Sequence, residues 1–254
     1  MTDWLVLLFD APLMSFGGPA IDQHGVTRNA PGRAMLVGLL GNALGYDHRD
    51  ATLLERLQTR LVHATLTLRA GERVVDFQTV DLGQPFLRAG WTTRGKPQAR
   101  DGGPAASGTH IRLRHYLAEA LRVVVATLEP GDEPPGLDAL ADALKHPARP
   151  LFLGRKACLP ARPLLAGRLA ADDAPTALRD ARELVRKGCP DLAERIDDAE
   201  AVAEWDAPPG TLHPPRGGRF ERLVDRRDWA NQFHGGERVV LTGPLPPASD
   251  EDKA

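Results

Sequence analysis

The chain has 254 residues, 42% apolar and 26% charged, enough to bury a sizeable core in one large domain or two small ones. Its formal charge of −2 and pI near 6.5 exclude a globally basic nucleic-acid binder, yet 27 of its 32 basic residues are arginine, the cation that forks onto phosphates and stacks on bases. No apolar run approaches the ~18 residues of a membrane span, the start with Asp3 and Asp10 has no secretory-leader pattern, and Cys158 and Cys189, with no His or Cys partners at ligand spacing, predict neither a disulfide framework nor a zinc site. A cytoplasmic chain without metal or cofactor is the expectation.

Residues 4–9 form a short apolar run and read as a buried strand. A glycine-rich stretch follows from Pro12 to Gly25. Asn29 as a cap and Pro31 in the first turn then open a helix, with Met35, Leu36, Leu39, Leu40, Ala43 and Leu44 at helical spacing and Gly45 as its stop. Residues 61–68 alternate as a strand, Ala70-Gly71-Glu72 is a turn, and 74–80 form a second strand. Residues 84–110 carry Gly, Pro, Ser and Thr without any period, and a run of that length inside a domain is usually functional or disordered. A strongly apolar strand over 121–128, a helix over 137–146 and a short apolar stretch at 151–153 complete β-α-β-β-(insert)-β-α-β for residues 1–165. That order predicts an α+β, ferredoxin-like (RRM-like) domain with helices on one sheet face. The expected division is 1–165, with an insert at about 84–115, and a smaller irregular region over 166–254. The latter holds a helix at 176–187, a second over 191–204, a proline-rich turn, a basic segment and an acidic tail.

Four segments could carry chemistry. The insert contains Arg88, Arg94, Lys96, Arg100, Arg112 and Arg114 against one acid, Asp101, with His110 and His115 and the aromatics Phe86, Trp91 and Tyr116 among them. Cations tracking phosphates beside aromatics that stack on bases are what single-stranded RNA binding requires, although a charge run is as often only a solvated face. In the segment 12–33, Gly17 and Gly18 offer backbone N–H groups, and Arg28 and Arg33 flank a helix start that favours an anion. It lacks the Gly-Lys-Ser/Thr of a nucleotide-binding P-loop. Gly154-Arg155-Lys156 follow a short strand and could hold phosphate or merely form an exposed turn. In the fourth, Arg216, Arg219, Arg222, Arg226 and Arg227 lie among Glu221, Asp225 and Asp228, so much of their charge is consumed in pairs. The eight histidines form no metal pattern, and no nucleophile elbow occurs.

Taken together, Ala11-Pro12-Leu13-Met14-Ser15-Phe16-Gly17, Thr27-Arg28 and Gly38-Leu39-Leu40 resemble the opening of the CasD family, the subunit of the type I-E CRISPR Cascade complex that holds the 5′ end of the guide RNA and belongs to the RAMP superfamily. Three later segments agree in order and spacing: Arg114-His115-Tyr116-Leu117-Ala118-Glu119-Ala120, then Leu153-Gly154-Arg155-Lys156-Ala157-Cys158 with Pro163-Leu164, then Arg226-Arg227-Asp228-Trp229. Phe16 stands where tryptophan is common, Ala34 where a small hydroxyl residue is usual, and 167–215 find no counterpart. The resemblance implies a ferredoxin-like domain whose insert is a projecting β-hairpin thumb, binding of the guide's 5′ handle, and no catalysis. It also implies a backbone subunit and a large target-recognition subunit as neighbours, with target DNA met only through the complex. Ser15, Gly17, Arg28 and Arg33 would supply phosphate contacts, Arg155 and Lys156 a second wall, and the insert's Arg88, Arg94, Lys96, Arg100, Arg112, Arg114 and His115 a clamp over the RNA.

Two alternatives stand beside it. Relatives in type I-C systems cut precursor RNA without metal. Here Tyr46 and His115 would be the acid–base pair, with Arg114 rather than lysine beside them. The other alternative is an unrelated small-molecule enzyme or interaction module on the same fold.

Overall fold

The computed structural model describes residues 1–18, 23–81, 84, 89–91, 96–99, 108–196 and 201–246. It is a mixed α+β structure with mostly antiparallel sheets. Strand β1 (Thr2–Asp10) is the expected apolar run, followed by the two-residue strands β2 (Leu13–Met14) and β3 (His24–Gly25) within the glycine-rich segment. Helix α1 (Arg33–Leu44) begins with Gly32, not Asn29, as its N-cap, and no side chain of its own caps it. Asn29 is committed elsewhere: its Oδ1 accepts from Arg73 Nη2 at 2.6 Å. The helix does stop at Gly45, whose φ of +85° suits glycine, and the following Tyr46 N–H closes on Gly41 O at 2.8 Å.

Helix α2 (Ala51–Arg60), which the sequence reading leaves unassigned although Asp50 stands at its N-cap and Leu54 and Leu57 share a buried side, leads directly into β4 (Leu61–Arg69). Strand β5 (Glu72–Asp81), the small pair β6 (Ala89–Trp91) and β7 (Pro97–Ala99), and β8 (Thr109–Ala118) follow. Thus residues 109–115 of the expected insert are regular strand. Next come β9 (Leu121–Leu128), α3 (Leu137–Lys145) and β10 (Leu165–Ala171). The last strand of the expected order, read at 151–153, is instead β10, while 151–153 are irregular and serve as a hydrogen-bonding shelf. Helix α4 (Ala174–Gly188) matches expectation. The helix expected over 191–204 is instead a 3-10 turn (Pro190–Arg195) and the strand β11 (Ala203–Asp206). Strands β12 (Arg219–Val224), β13 (Arg227–Asp228), β14 (Phe233–His234) and β15 (Glu237–Gly243) complete the described chain.

The main sheet runs β10-β1-β9-β4-β11-β15-β12, each neighbouring pair antiparallel. Because β1 lies inside it, both its faces are buried, which is why its sequence reads as a continuous apolar run. Leu5, Leu7 and Phe9 pack with α1 and α3; Trp4, Val6 and Leu8 pack on the opposite face with Ala177, Leu178 and Val185 of α4. Strands β5 and β8 pair over ten residues outside this sheet. Their register puts Val75, Phe77, Leu113 and Ile111 on one face and Asp76–Arg114 and Gln78–Arg112 on the other.

Two fully buried arginines stitch the loops to this frame. Arg122 donates to Asn29 O at 2.9 Å and Ala70 O at 3.0 Å, tying the glycine-rich segment to the β4–β5 turn. Arg60 donates to the carbonyls of Pro130, Glu133, Pro134 and Pro135 at 2.7 to 3.1 Å, so the loop before α3 folds around one guanidinium. Arg60→Met removes all of these hydrogen bonds together with the fully buried guanidinium that gathers the loop. It is expected to lower the unfolding free energy by about 3 kcal/mol, read from the urea midpoint at unchanged slope.

Candidate nucleic-acid interface

The glycine-rich loop is shaped by its backbone. Ser15 N–H donates to Leu153 O at 3.1 Å, Phe16 N–H to Thr27 Oγ1 at 3.0 Å, and Arg28 N–H to Gly17 O at 2.9 Å. The Ser15 side chain is buried, and its hydroxyl donates to His115 O at 3.1 Å. Gly154 (φ +97°) sits directly on the Ser15 carbonyl, where a Cβ would overlap the oxygen. Arg155 locks the same corner: it donates to His115 O at 2.9 Å and Gly25 O at 2.7 Å and lies 4.8 Å from the Tyr116 ring centroid. Lys156 beside it is exposed.

The helix start does attract an anion, but one supplied by the chain itself. Asp225 Oδ2 accepts from the Arg33 N–H at 3.0 Å, and the Asp225 carbonyl accepts from the Ala34 N–H at 2.8 Å. Arg238 grips the same carboxylate through Nε at 3.0 Å and Nη2 at 2.8 Å. It also reaches Asp206 at 2.6 Å and Glu204 at 3.5 Å. Arg28 pairs with Glu204 at 3.3 Å and Asp225 at 3.5 Å, while Arg33 pairs with Asp206. Three guanidinium groups thus face three carboxylates. Burial alone would raise the Asp225 carboxyl, but Arg238, the Arg33 N–H and Arg28 outweigh it and hold it below the usual range. Burial raises Glu204, which its arginine neighbours only partly offset.

His63 of β4 is buried in this cluster, its Nε2 3.3 Å from Arg238 Nη2. Burial first, then the charges of Arg238, Arg33 and Arg28, hold its pKa well below the ordinary histidine value. The unfolded chain therefore binds a proton that the folded chain refuses, so stability falls as pH drops below about 6.5, by up to ~1.4 kcal/mol per pH unit. Glu204, raised by burial, acts in the opposite sense and is common to wild type and variant. His63→Gln is thus expected to flatten the fall between pH 6.5 and 5.5, measured by urea unfolding at each pH.

Between these features lies a cavity of about 880 Å³. Its floor is the Ala34, Gly38 and Asn42 side of α1; one rim is formed by 15–18 and 154–156, the other by Arg227, Trp229 and His234. Of the expected contact residues, Ser15, Gly17, Arg28, Arg155 and Lys156 converge here, while Arg33 and His115 are not among its lining residues. Arg112 and Arg114 are exposed on β8, and the His115 ring is 6.4 Å from that of His24. Lys96 is exposed just before β7. Arg88, Arg94 and Arg100, like Phe86 and Asp101 and the acidic tail, lie outside the described residues.

Tyr46 lines the cavity, and burial raises its phenol pKa, so it holds its proton. The cavity therefore does not bring Tyr46 and His115 together. Arg149, which donates to Tyr46 O at 2.7 Å, and His234 escaped sequence reasoning, since each is isolated in sequence. Arg227 and Trp229 belong to the last matched segment, but spacing alone gave no reason to join them to the glycine-rich loop 200 residues away. Among the described residues no helix is long and apolar enough to cross a membrane.

Comparisons with known proteins converge on one family. The CRISPR system Cascade subunit CasD of Escherichia coli (strain K12) is 29% identical over 160 residues, covering 62% of this chain and 67% of that protein. A chain of a CRISPR RNA-guided surveillance complex superposes with a TM-score of 0.64 at 24% identity, covering 95% of this chain and 90% of its own. A second solved structure, a Cas protein, gives 0.57 at 21% identity over 96% and 95% of the two chains. The family model described as CRISPR-associated protein (Cas_Cas5) matches residues 4–243, nearly the whole chain, and the chain belongs to that family.

Proposed function

We propose that this chain is the non-catalytic subunit of a type I-E Cascade complex that holds the 5′ handle of the CRISPR guide RNA and caps the assembly in the cytoplasm. The observation that carries this is the cavity in which the glycine-rich loop, the 154–156 corner and the Arg227–Trp229 segment meet. Three of the separately matched sequence segments are there brought onto one surface of a size that suits a few nucleotides. Lys156 and the exposed Arg112 and Arg114 are the cations best placed for phosphates. Ser15, Arg28 and Arg155 shape the wall from within, and Arg33 acts through α1. Lys96, Arg88, Arg94 and Arg100 complete the proposed clamp, whereas the register puts His115 on the thumb's other face, with Val75 and Phe77.

The ferredoxin-like reading is supported by the order β10-β1-β9-β4, in chain terms fourth, first, third, second, with α1 before the second strand and α3 before the fourth. The thumb reading is supported by the β5–β8 ladder standing outside the main sheet. Because β10 ends at Ala171, the RNA-binding domain would run to residue 171 rather than 165, with its thumb insert at about 84–115. The residues after it would be a smaller region that extends the same sheet through β11, β15 and β12. The two-faced thumb suits contact with RNA on its cationic side and with a neighbouring backbone subunit on its apolar side. The large target-recognition subunit would sit near, and target DNA would be met only through the complex. The reading without catalysis is supported by the cavity lining, which includes Tyr46 but not His115.

The test is incubation of the purified chain with its repeat RNA in chelator, followed by native and denaturing gels. A retarded but intact RNA is expected. Cleaved RNA would make the chain the processing nuclease, with Tyr46 and His115 the next residues to change.

A further inference from the structure

The rim of the cavity that carries Arg227, Trp229 and His234 is not part of the main sheet. It is an excursion from Arg226 to Gly236, between β12 and β15, folded on itself through the two-residue ladder β13–β14. A ladder that short is marginal by itself. It also has open space on both sides: the cavity in front and, behind it, a groove of about 890 Å³ between the excursion and α2. Asp225 and β15 fix its two ends, which leaves its lean toward or away from the cavity undetermined. Among the described residues, Trp229 is the only side chain of the excursion that joins the apolar core, and its Nε1 has no hydrogen-bond partner. The ring's orientation therefore follows its backbone. Gln232 donates to the Trp229 carbonyl at 2.6 Å, and the Arg227 guanidinium donates to Gln232 Oε1 at 2.6 Å and lies 5.3 Å from the ring centroid. Ring, guanidinium and turn are thus one unit.

The side chain that places this unit is Gln58. It stands on α2, one turn after Leu54, and is only 1% exposed. Its Oε1 accepts from the Arg227 N–H at 2.9 Å, and its Nε2 donates to the Arg227 carbonyl at 3.0 Å. One buried amide thus satisfies both main-chain groups of one residue, as a neighbouring strand would. The same Nε2 reaches Glu55 Oε2 at 3.2 Å, and Glu55 Oε1 accepts from Arg226 at 3.2 Å. Near the turn, Gln232 Nε2 donates to His48 O at 3.2 Å, but that bond is exposed to water, where it is worth less than the buried pair. Gln58 is not among the lining residues of the cavity, so it acts on bound RNA only through Arg227.

We propose that Gln58 is a positioning residue for guide-RNA binding: its amide holds the Arg227 main chain so that Arg227, Trp229 and His234 face the glycine-rich rim across a cavity of fixed width. Without it the wall leans back into the groove behind. This rests on the guide-RNA reading above and adds to it that a buried amide on α2 sets the width of the site.

The test compares wild type, Gln58→Met and Arg60→Met under conditions where all three are folded. Gln58→Met keeps the length of the side chain and loses both bonds. Arg60→Met removes a buried anchor of the same helix that holds a different loop, and so controls for lost stability. The probe is the repeat-derived RNA carrying 4-thiouridine. Gln58→Met is expected to bind it about tenfold more weakly, with cross-links on Arg227, Trp229 and His234 falling about fivefold relative to those on 15–18 and 154–156. Arg60→Met is expected to stay within about twofold of wild type in affinity, with the cross-link ratio unchanged. Unchanged affinity or an unchanged ratio in Gln58→Met, or an equal loss in Arg60→Met, overturns the positioning role and leaves handle binding standing. Wild type that binds no RNA, or cross-links on neither rim, overturns both. Should Gln58→Met fail to fold, Gln58→Asn, whose amide is one methylene short of the Arg227 backbone, is read the same way.

Discussion

Gly154→Ala is expected to weaken guide-RNA binding by at least about tenfold and to lower stability by about 1–3 kcal/mol. Gly154 has φ +97°, a region alanine adopts only with strain, and the added methyl would overlap the Ser15 carbonyl oxygen. Backbone must therefore move on one side or the other. Ser15 N–H is fixed to Leu153 O at 3.1 Å, so a shift at 154 displaces Ser15 and, through the Arg28–Gly17 hydrogen bond, the whole rim. Arg155 and Lys156 move with it. A gel-shift titration paired with urea unfolding separates the effects: the expected variant is folded at 25 °C and weak in binding. Unchanged affinity would mean that the rim is not where RNA sits.

Asp225→Ala should produce the largest loss of stability, about 3–5 kcal/mol. It removes the carboxylate that caps α1 at 3.0 Å, grips Arg238 and faces Arg28, leaving three guanidinium groups against two acids in a buried cluster. Asp225→Asn keeps the shape and one acceptor and is expected to lose less. A double variant, Asp225→Ala with Arg238→Met, should recover part of the loss, because it removes the stranded charge along with its partner. Urea midpoints of wild type, the two Asp225 variants, Arg238→Met and the double variant test this; a double variant as unstable as the sum of its singles would contradict it.

That cap also marks how far the sequence is legible. Asn29 and Pro31 correctly signal that a helix is near, but the group that satisfies its first N–H is 192 residues away and has no local signature. The buried run of β1 is legible because both faces of a central strand are apolar. Strand β8 is less so, since its alternation of Ile111 and Leu113 with His110, Arg112 and Arg114 leaves both faces partly exposed and the cations dominate the impression. The stretch ending in β11 is rich in Ala, Glu and Asp and favours helix by propensity; pairing between β4 and β15, with Trp205 buried, overrides it. For the site, glycines at 17 and 154 and the cations beside them announce a loop that approaches something closely. Charge counting cannot show which cations are free, and Arg28, Arg33 and Arg155 turn out to be bonded within the fold.

The most direct measurement of the central claim is site mapping of the bound RNA. The repeat-derived RNA, carrying 4-thiouridine in its handle, would be cross-linked to the full chain by light, and the attached peptides identified by mass spectrometry. Cross-links are expected on residues 15–18 and 154–156, and on Arg227, Trp229 and His234, the two rims of one cavity. Cross-links confined to the surface of α4 and the 3-10 turn, on the opposite face of the sheet, would contradict it.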